Sequence, residues 1–136
     1  MMIEAAAETD ELKAIVSEGA GARMYSEDLD TETSTLGKMM GFPVATLKSA
    51  AIAVSSNHPP PANLKDLAAK IQQPLLLIAA PNAPTGEKLN RGYQAAAGDN
   101  ATLWEIPESK HVGGLAARPA EYERRVVGFF DDALGR

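Results

Sequence analysis

Three short apolar runs stand out along the chain, separated by longer stretches in which apolar positions recur every three or four residues. "LKAIVSEG" (12–19) centres on Ala14, Ile15 and Val16 and stops at a glycine. "QPLLLIAAP" (73–81) is continuously apolar between two prolines, and "ATLWEIP" (101–107) mixes aromatic and aliphatic residues. Short runs closed by Gly or Pro predict strands, and an unbroken one predicts a parallel strand covered on both faces.

Helical spacing fills the intervals. "MMIEAAAE" predicts a short helix that needs packing to persist. The segment from Gly19 to Phe42 is polar and reads as a long loop of the functional or mobile kind. "PVATLKSAAIAVSS" reads as a helix opened by Pro43 in its first turn. The prolines at 59–61 turn the chain into a short helix capped by Asn63. Residues 85–97 read as a helix stopped at Gly98. After Arg118-Pro119 a closing helix places Tyr122, Val126, Phe129, Phe130 and Ala133 on one side.

Strands alternating with helices imply an α/β fold: three parallel strands, at about 12–18, 74–80 and 101–106, flanked by helices. The 136 residues suit a single domain, with residues of about 20–62 as a cap-like insertion. In parallel sheets, chemistry gathers beyond the C-terminal strand ends. Glu18, the 82–87 segment and His111 all fall there.

Composition narrows the classes. Apolar content of 45% and charged content of 23% are those of a globular chain. A net charge of −5 without a basic cluster disfavours nucleic acid. The absence of cysteine removes disulfides, thiolate metal sites and a cysteine nucleophile. The apolar stretch at 43–54 is too short to span a bilayer, and the acidic N-terminal stretch is unlike a signal peptide, so a cytoplasmic location is expected. No phosphate-binding Gly loop or metal spacing is present, so no cofactor is implied.

Taken alone, His111 reads as a structural loop histidine rather than a base, and His58 beside its prolines as a turn residue. Glu87 near a helix start serves the helix dipole as well as it serves chemistry. Glu18 reads as an ordinary strand-end carboxylate. Ser49, Ser55, Ser56 and Ser109 are surface or capping hydroxyls. Gly113-Gly114 either allows close approach to substrate or supplies the turn into the helix. The acidic 26–33 stretch reads as solvated.

Together, "EAAAETDELKAIVSEGAGAR", "PPPANLKDLAAKIQQPLLLIAA" and "LWEIPESKHVGGLAARPAEYERRVVGFF" resemble the C-terminal half of an α/β-hydrolase of the dienelactone-hydrolase and dipeptidyl-peptidase-like group. The resemblance spans nearly the whole chain and makes the three strands the last three of that fold. It implies a triad base at His111, with Glu87 as the orienting acid or Glu18 as the alternative. The family's Gly-x-Ser-x-Gly elbow does not occur in the sequence, and the resemblance puts it a few residues before Met1. The expectation is therefore the C-terminal portion of a serine hydrolase of ester or amide bonds, inactive alone, whose complete form takes a small-molecule ester or peptide substrate. The rival expectation is a non-catalytic module that self-associates or recruits a partner along the free edge of its first strand.

Overall fold

The computed structural model of the protein describes residues 2–22, 27, 34–56, 62–83 and 87–135. In chain order these form α1 (Met2–Glu8), β1 (Ile15–Glu18), α2 (Thr35–Ser56), α3 (Leu64–Ala68) and β2 (Leu75–Ala79). A 3-10 turn (Glu87–Leu89) runs into α4 (Asn90–Ala97), and a second (Gly98–Asn100) leads to β3 (Ala101–Glu105). The chain closes with α5 (Gly114–Ala117) and α6 (Pro119–Leu134). The three strands make one parallel sheet in the order β1-β2-β3, with Ile15 opposite Leu75 and Leu75 opposite Ala101. This is the expected α/β arrangement.

Strand parity builds two cores. Leu75 and Leu77 of β2 face Ile3, Leu64, Leu67 and Tyr93 from α1, α3 and α4. Leu76 and Ile78 face the other way, onto Trp104 and Ile106, and α6 lays Tyr122, Val126 and Phe129 over them. Every residue of β2 is therefore buried, as its unbroken apolar run requires. Each leucine or isoleucine so buried contributes about 1.5–3 kcal/mol. Helix α6 is only half-sunk: Phe130 and Ala133 are partly buried, and Phe130 sits edge-on to Phe129 at 5.5 Å. Pro119 opens α6 at its first turn, and Gly135 ends it in the left-handed region at φ +67°.

Several local expectations meet their residues. Asn63 caps α3 by accepting the Lys65 N–H. Gly98, at φ +64°, ends α4. One is corrected: the 22-residue helix α2 begins at Thr35, well inside the stretch read as loop, and holds Pro43 in its interior. The apolar positions Leu36, Met39 and Met40 already carry helical spacing ahead of Pro43. Ser34 Oγ accepts the Gly37 N–H at 3.2 Å and so starts the helix earlier. The acidic 26–33 stretch lies outside the described residues except Glu27, which is buried and not solvated. Its carboxylate accepts the Leu64 N–H at 2.7 Å, at the start of α3. The start of the helix expected at 85, and His58 with its prolines, also lie outside the described residues.

Candidate functional site

Beyond the end of β2, Glu87 opens the 3-10 turn before α4 and its carboxylate stands over the strand end. Glu87 is 1% exposed. Its Oε2 accepts the Ala80 N–H at 2.5 Å, and its Oε1 lies 2.9 Å from His111 Nδ1. A buried carboxylate needs donors on both oxygens, and here a backbone amide and an imidazole supply them. Because the carboxylate only accepts, the proton of the pair sits on Nδ1, leaving the Nε2 lone pair directed away from Glu87. The His111 side chain is 48% exposed, so the ring is held from within and open to a reactant from outside.

The loop bearing His111 is built for this pose. The Ser109 N–H bonds to Ile106 O at its start, and the Gly113 N–H closes a turn onto Lys110 O, both at 3.0 Å. Asn82, in the loop after β2, donates Nδ2–H to Pro107 O at 3.0 Å and ties the β2 and β3 loops together. Val112, third residue of the turn, takes φ +51°. A β-branched residue there is strained, at a cost of about 1–3 kcal/mol, and persists only where its surroundings hold it.

Gly19 holds the other side of the ring. It follows β1 at φ +71°, and a Cβ there would lie 2.9 Å from His111 Cε1 and 3.0 Å from Nδ1. Both the backbone conformation and the close approach require glycine. Asn90, fully buried, braces the acid's turn: its Nδ2 donates to Glu87 O at 2.8 Å and to Ala20 O at 2.6 Å. Its Oδ1 has no partner among the described residues. Gly19, the Ala80 N–H and Asn90 carry no motif that would reveal them in a sequence. The one available signal was that Gly19 ends a strand.

Glu18 is placed differently. Its Oε1 accepts the Gly114 N–H at 2.7 Å and its Oε2 accepts the Tyr122 O–H at 2.9 Å, so its oxygens meet α5 and α6, not the imidazole. Burial, and then the neighbouring Glu18 carboxylate, pushes the Tyr122 phenol up to about 12. Of the serines weighed, Ser109 Oγ donates to Lys110 O within its own loop, and Ser55 Oγ donates back to Ala51 O in α2. The side chains of Ser49 and Ser56 lie outside the described set.

A cavity of about 250 Å³ opens beside His111, along the edge of β1 that faces away from β2, between Met2, Val16, Gly19 and Val112. A larger hollow of about 500 Å³, between Lys65, Lys88 and Tyr93, holds neither His111 nor Glu87. We take the smaller one as the candidate site because the histidine lines it. Among the described residues no group of three His, Asp or Glu side chains is placed to hold a metal ion, and no helix is long and apolar enough to cross a membrane.

The chain is thus a three-stranded parallel sheet flanked by helices, with a Glu–His pair beyond its C-terminal strand ends. No protein-family model and no curated protein sequence matches the chain. Among solved structures it is similar to the Pyrococcus furiosus esterase Pf2001 in three crystal forms. The TM-scores are 0.64, 0.63 and 0.61, at 16%, 16% and 18% identity. Each match covers 96% of this chain and 48% of the esterase, so the chain spans about half the length of the protein it resembles. At such identity the likeness concerns the fold.

Proposed function

We propose that this chain carries the acid–base arm of a serine hydrolase acting on carboxylic esters or amides, of the dienelactone-hydrolase-like kind. The observation that carries the reading is the 2.9 Å contact between His111 Nδ1 and buried Glu87 at adjoining strand ends. In the complete reaction, Nε2 of His111 takes the proton of a serine hydroxyl as that oxygen attacks the substrate carbonyl. Glu87 holds the tautomer and stabilises the imidazolium, and Nε2 then returns the proton to the leaving group. The serine comes from a strand-to-helix elbow seated against β1, since these 136 residues contain no Gly-x-Ser-x-Gly.

The 136-residue chain by itself is therefore expected to turn over no p-nitrophenyl ester and to take no fluorophosphonate label. Labelling of any of its serines would overturn this assignment. Adding a polypeptide that contains the elbow should restore labelling on the added serine and make turnover depend on His111 and Glu87.

A second reading rests on the edge of β1. The N–H groups of Ile15 and Gly19 bond to Pro74 O and Ile78 O of the β2 side. By alternation, the backbone groups of Val16 and Glu18 face away from β2, and β1 is one of the two edge strands among the described residues. Such an edge pairs with another strand, either of a second copy or of a partner that completes the sheet. Val16→Pro removes an outward N–H without touching the β1–β2 ladder, and it is expected to abolish concentration-dependent association in sedimentation. A wild-type chain that stays monomeric at high concentration would rule out pairing with a second copy.

A further inference from the structure

Glu18, the last residue of β1, and Gly19 just after it make a single seat for the His111 loop. The loop's start is pinned by Ser109 N–H to Ile106 O and by Asn82 to Pro107 O. Its exit has another anchor. The first amide beyond the turn, Gly114 N–H, donates to Glu18 Oε1 at 2.7 Å, and Glu18 Oε2 is in turn held by the Tyr122 O–H at 2.9 Å. Tyr122 belongs to α6 and packs on Trp104, with ring centroids 6.0 Å apart, so the carboxylate ties the exit of the loop to the core.

Gly114 leaves no room between these groups: a Cβ there would meet Glu18 Oε1 and Ile106 Cδ1, each at 2.9 Å. Between the two anchors sits Val112 at φ +51°, a conformation that relaxes if either end is released. One residue after Glu18, Gly19 offers its bare Cα to the imidazole.

We propose that Glu18 is a positioning residue for His111: by capturing Gly114 N–H and Tyr122 O–H it keeps the strained 110–113 turn in the one shape that delivers Nδ1 to Glu87. The inference rests on the hydrolase reading for its purpose, but its geometry can be tested without turnover. Burial, and then Glu18, raise the Tyr122 phenol to about 12 and so keep its O–H a donor into the alkaline range.

The test is long-range ¹H–¹⁵N spectroscopy of the imidazole rings in the 136-residue chain, with His58→Asn to assign His111, together with amide exchange at Gly114. The wild type should show His111 fixed as the Nδ1–H tautomer. Glu18→Ala should bring the ring toward tautomer averaging and speed Gly114 exchange at least about tenfold, the loss of a charge-assisted hydrogen bond. Glu18→Gln, whose amide oxygen can still accept from Gly114, should retain the tautomer. An unchanged ring signature and unchanged Gly114 exchange in Glu18→Ala would overturn the proposal.

Should that variant fail to fold, Glu18→Leu fills the same volume without an acceptor. Loss of the signature in Glu18→Leu with its retention in Glu18→Gln supports the clamp, and equal signatures in the two overturn it. Glu87→Leu, which removes the acceptor, separates the underlying reading. If Glu87→Leu leaves the His111 signature intact, the Glu87–His111 couple and the hydrolase reading fail, whatever Glu18 does. If no elbow-bearing polypeptide restores labelling while Glu18→Ala still loosens the ring, the hydrolase reading fails and the clamp stands.

Discussion

Two carboxylates stand beyond neighbouring strand ends, Glu87 after β2 and Glu18 at the tip of β1, and each oxygen of each is engaged by a donor. Glu87 lies outside the strand, at the start of the 3-10 turn that runs into α4, so its direction is independent of strand parity. Glu18 sits on the strand itself and shares the parity of Val16, which packs toward Tyr122 and α6. Parity aims Glu18 at α5 and α6, and the 3-10 turn aims Glu87 at the imidazole. An acid is suited to orient the histidine according to how the backbone delivers it, not merely by lying at a strand's end.

The comparison breaks most severely where the two regions meet, at Gly19. Gly19→Val adds a left-handed backbone penalty of roughly 1–2 kcal/mol and an overpacking cost of about 1–3 kcal/mol against the imidazole and Val112. A large fall in urea midpoint is expected, with loss of the fixed His111 tautomer. A midpoint equal to wild type would mean the ring does not rest on Gly19.

Next comes the buried acid. Glu87→Leu strands the Ala80 N–H and the imidazole N–H, and a loss of about 1–3 kcal/mol is expected in equilibrium unfolding. On the proposed hydrolase reading, with an elbow-bearing polypeptide added, kcat should fall by about 10⁴-fold. If Glu18→Leu lowers kcat as far as Glu87→Leu does, the division of labour between the two acids is wrong.

The smallest effect sharpens the other side. Tyr122→Phe removes one hydrogen bond, expected to cost about 1 kcal/mol at neutral pH. Its pH dependence has a definite sign. The folded phenol titrates at about 12, above its ordinary value of 10, so its contribution is complete below pH 10 and is lost as pH rises toward 12. The stability gap between wild type and Tyr122→Phe should therefore close over that window, and the difference in their ultraviolet titrations should show one phenol step near 12. A gap that widens with pH would contradict the Glu18 contact.

Much of the frame was legible beforehand because it follows from short-range periodicity. The unbroken run Leu75–Ala79 could only be a strand with two covered faces, and Gly98 and Asn63 stop and start helices by their own chemistry. The pairing of Glu87 with His111 was readable as a choice between two acids, given the resemblance. Helix α2 was misjudged at its start because Pro43 looks like an opening residue, while Ser34, eight positions upstream of Phe42, supplies the cap. The buried place of Glu27 was hidden too, because its reason is the unsatisfied N–H of Leu64, 37 residues away.

What the sequence by itself determined is the alternation of strands and helices, the parallel sheet and the location of three chemically able residues at its C-terminal end. These depend on which residues repeat at which spacing, a local property. Only the tertiary structure decided which carboxylate meets the histidine, that Gly19 makes room for the ring, and that Gly114 and Tyr122 take up the other acid. Those outcomes depend on the path of loops between distant strand ends and on the face that α6 covers, and no local spacing encodes a direction across 24 or 96 residues.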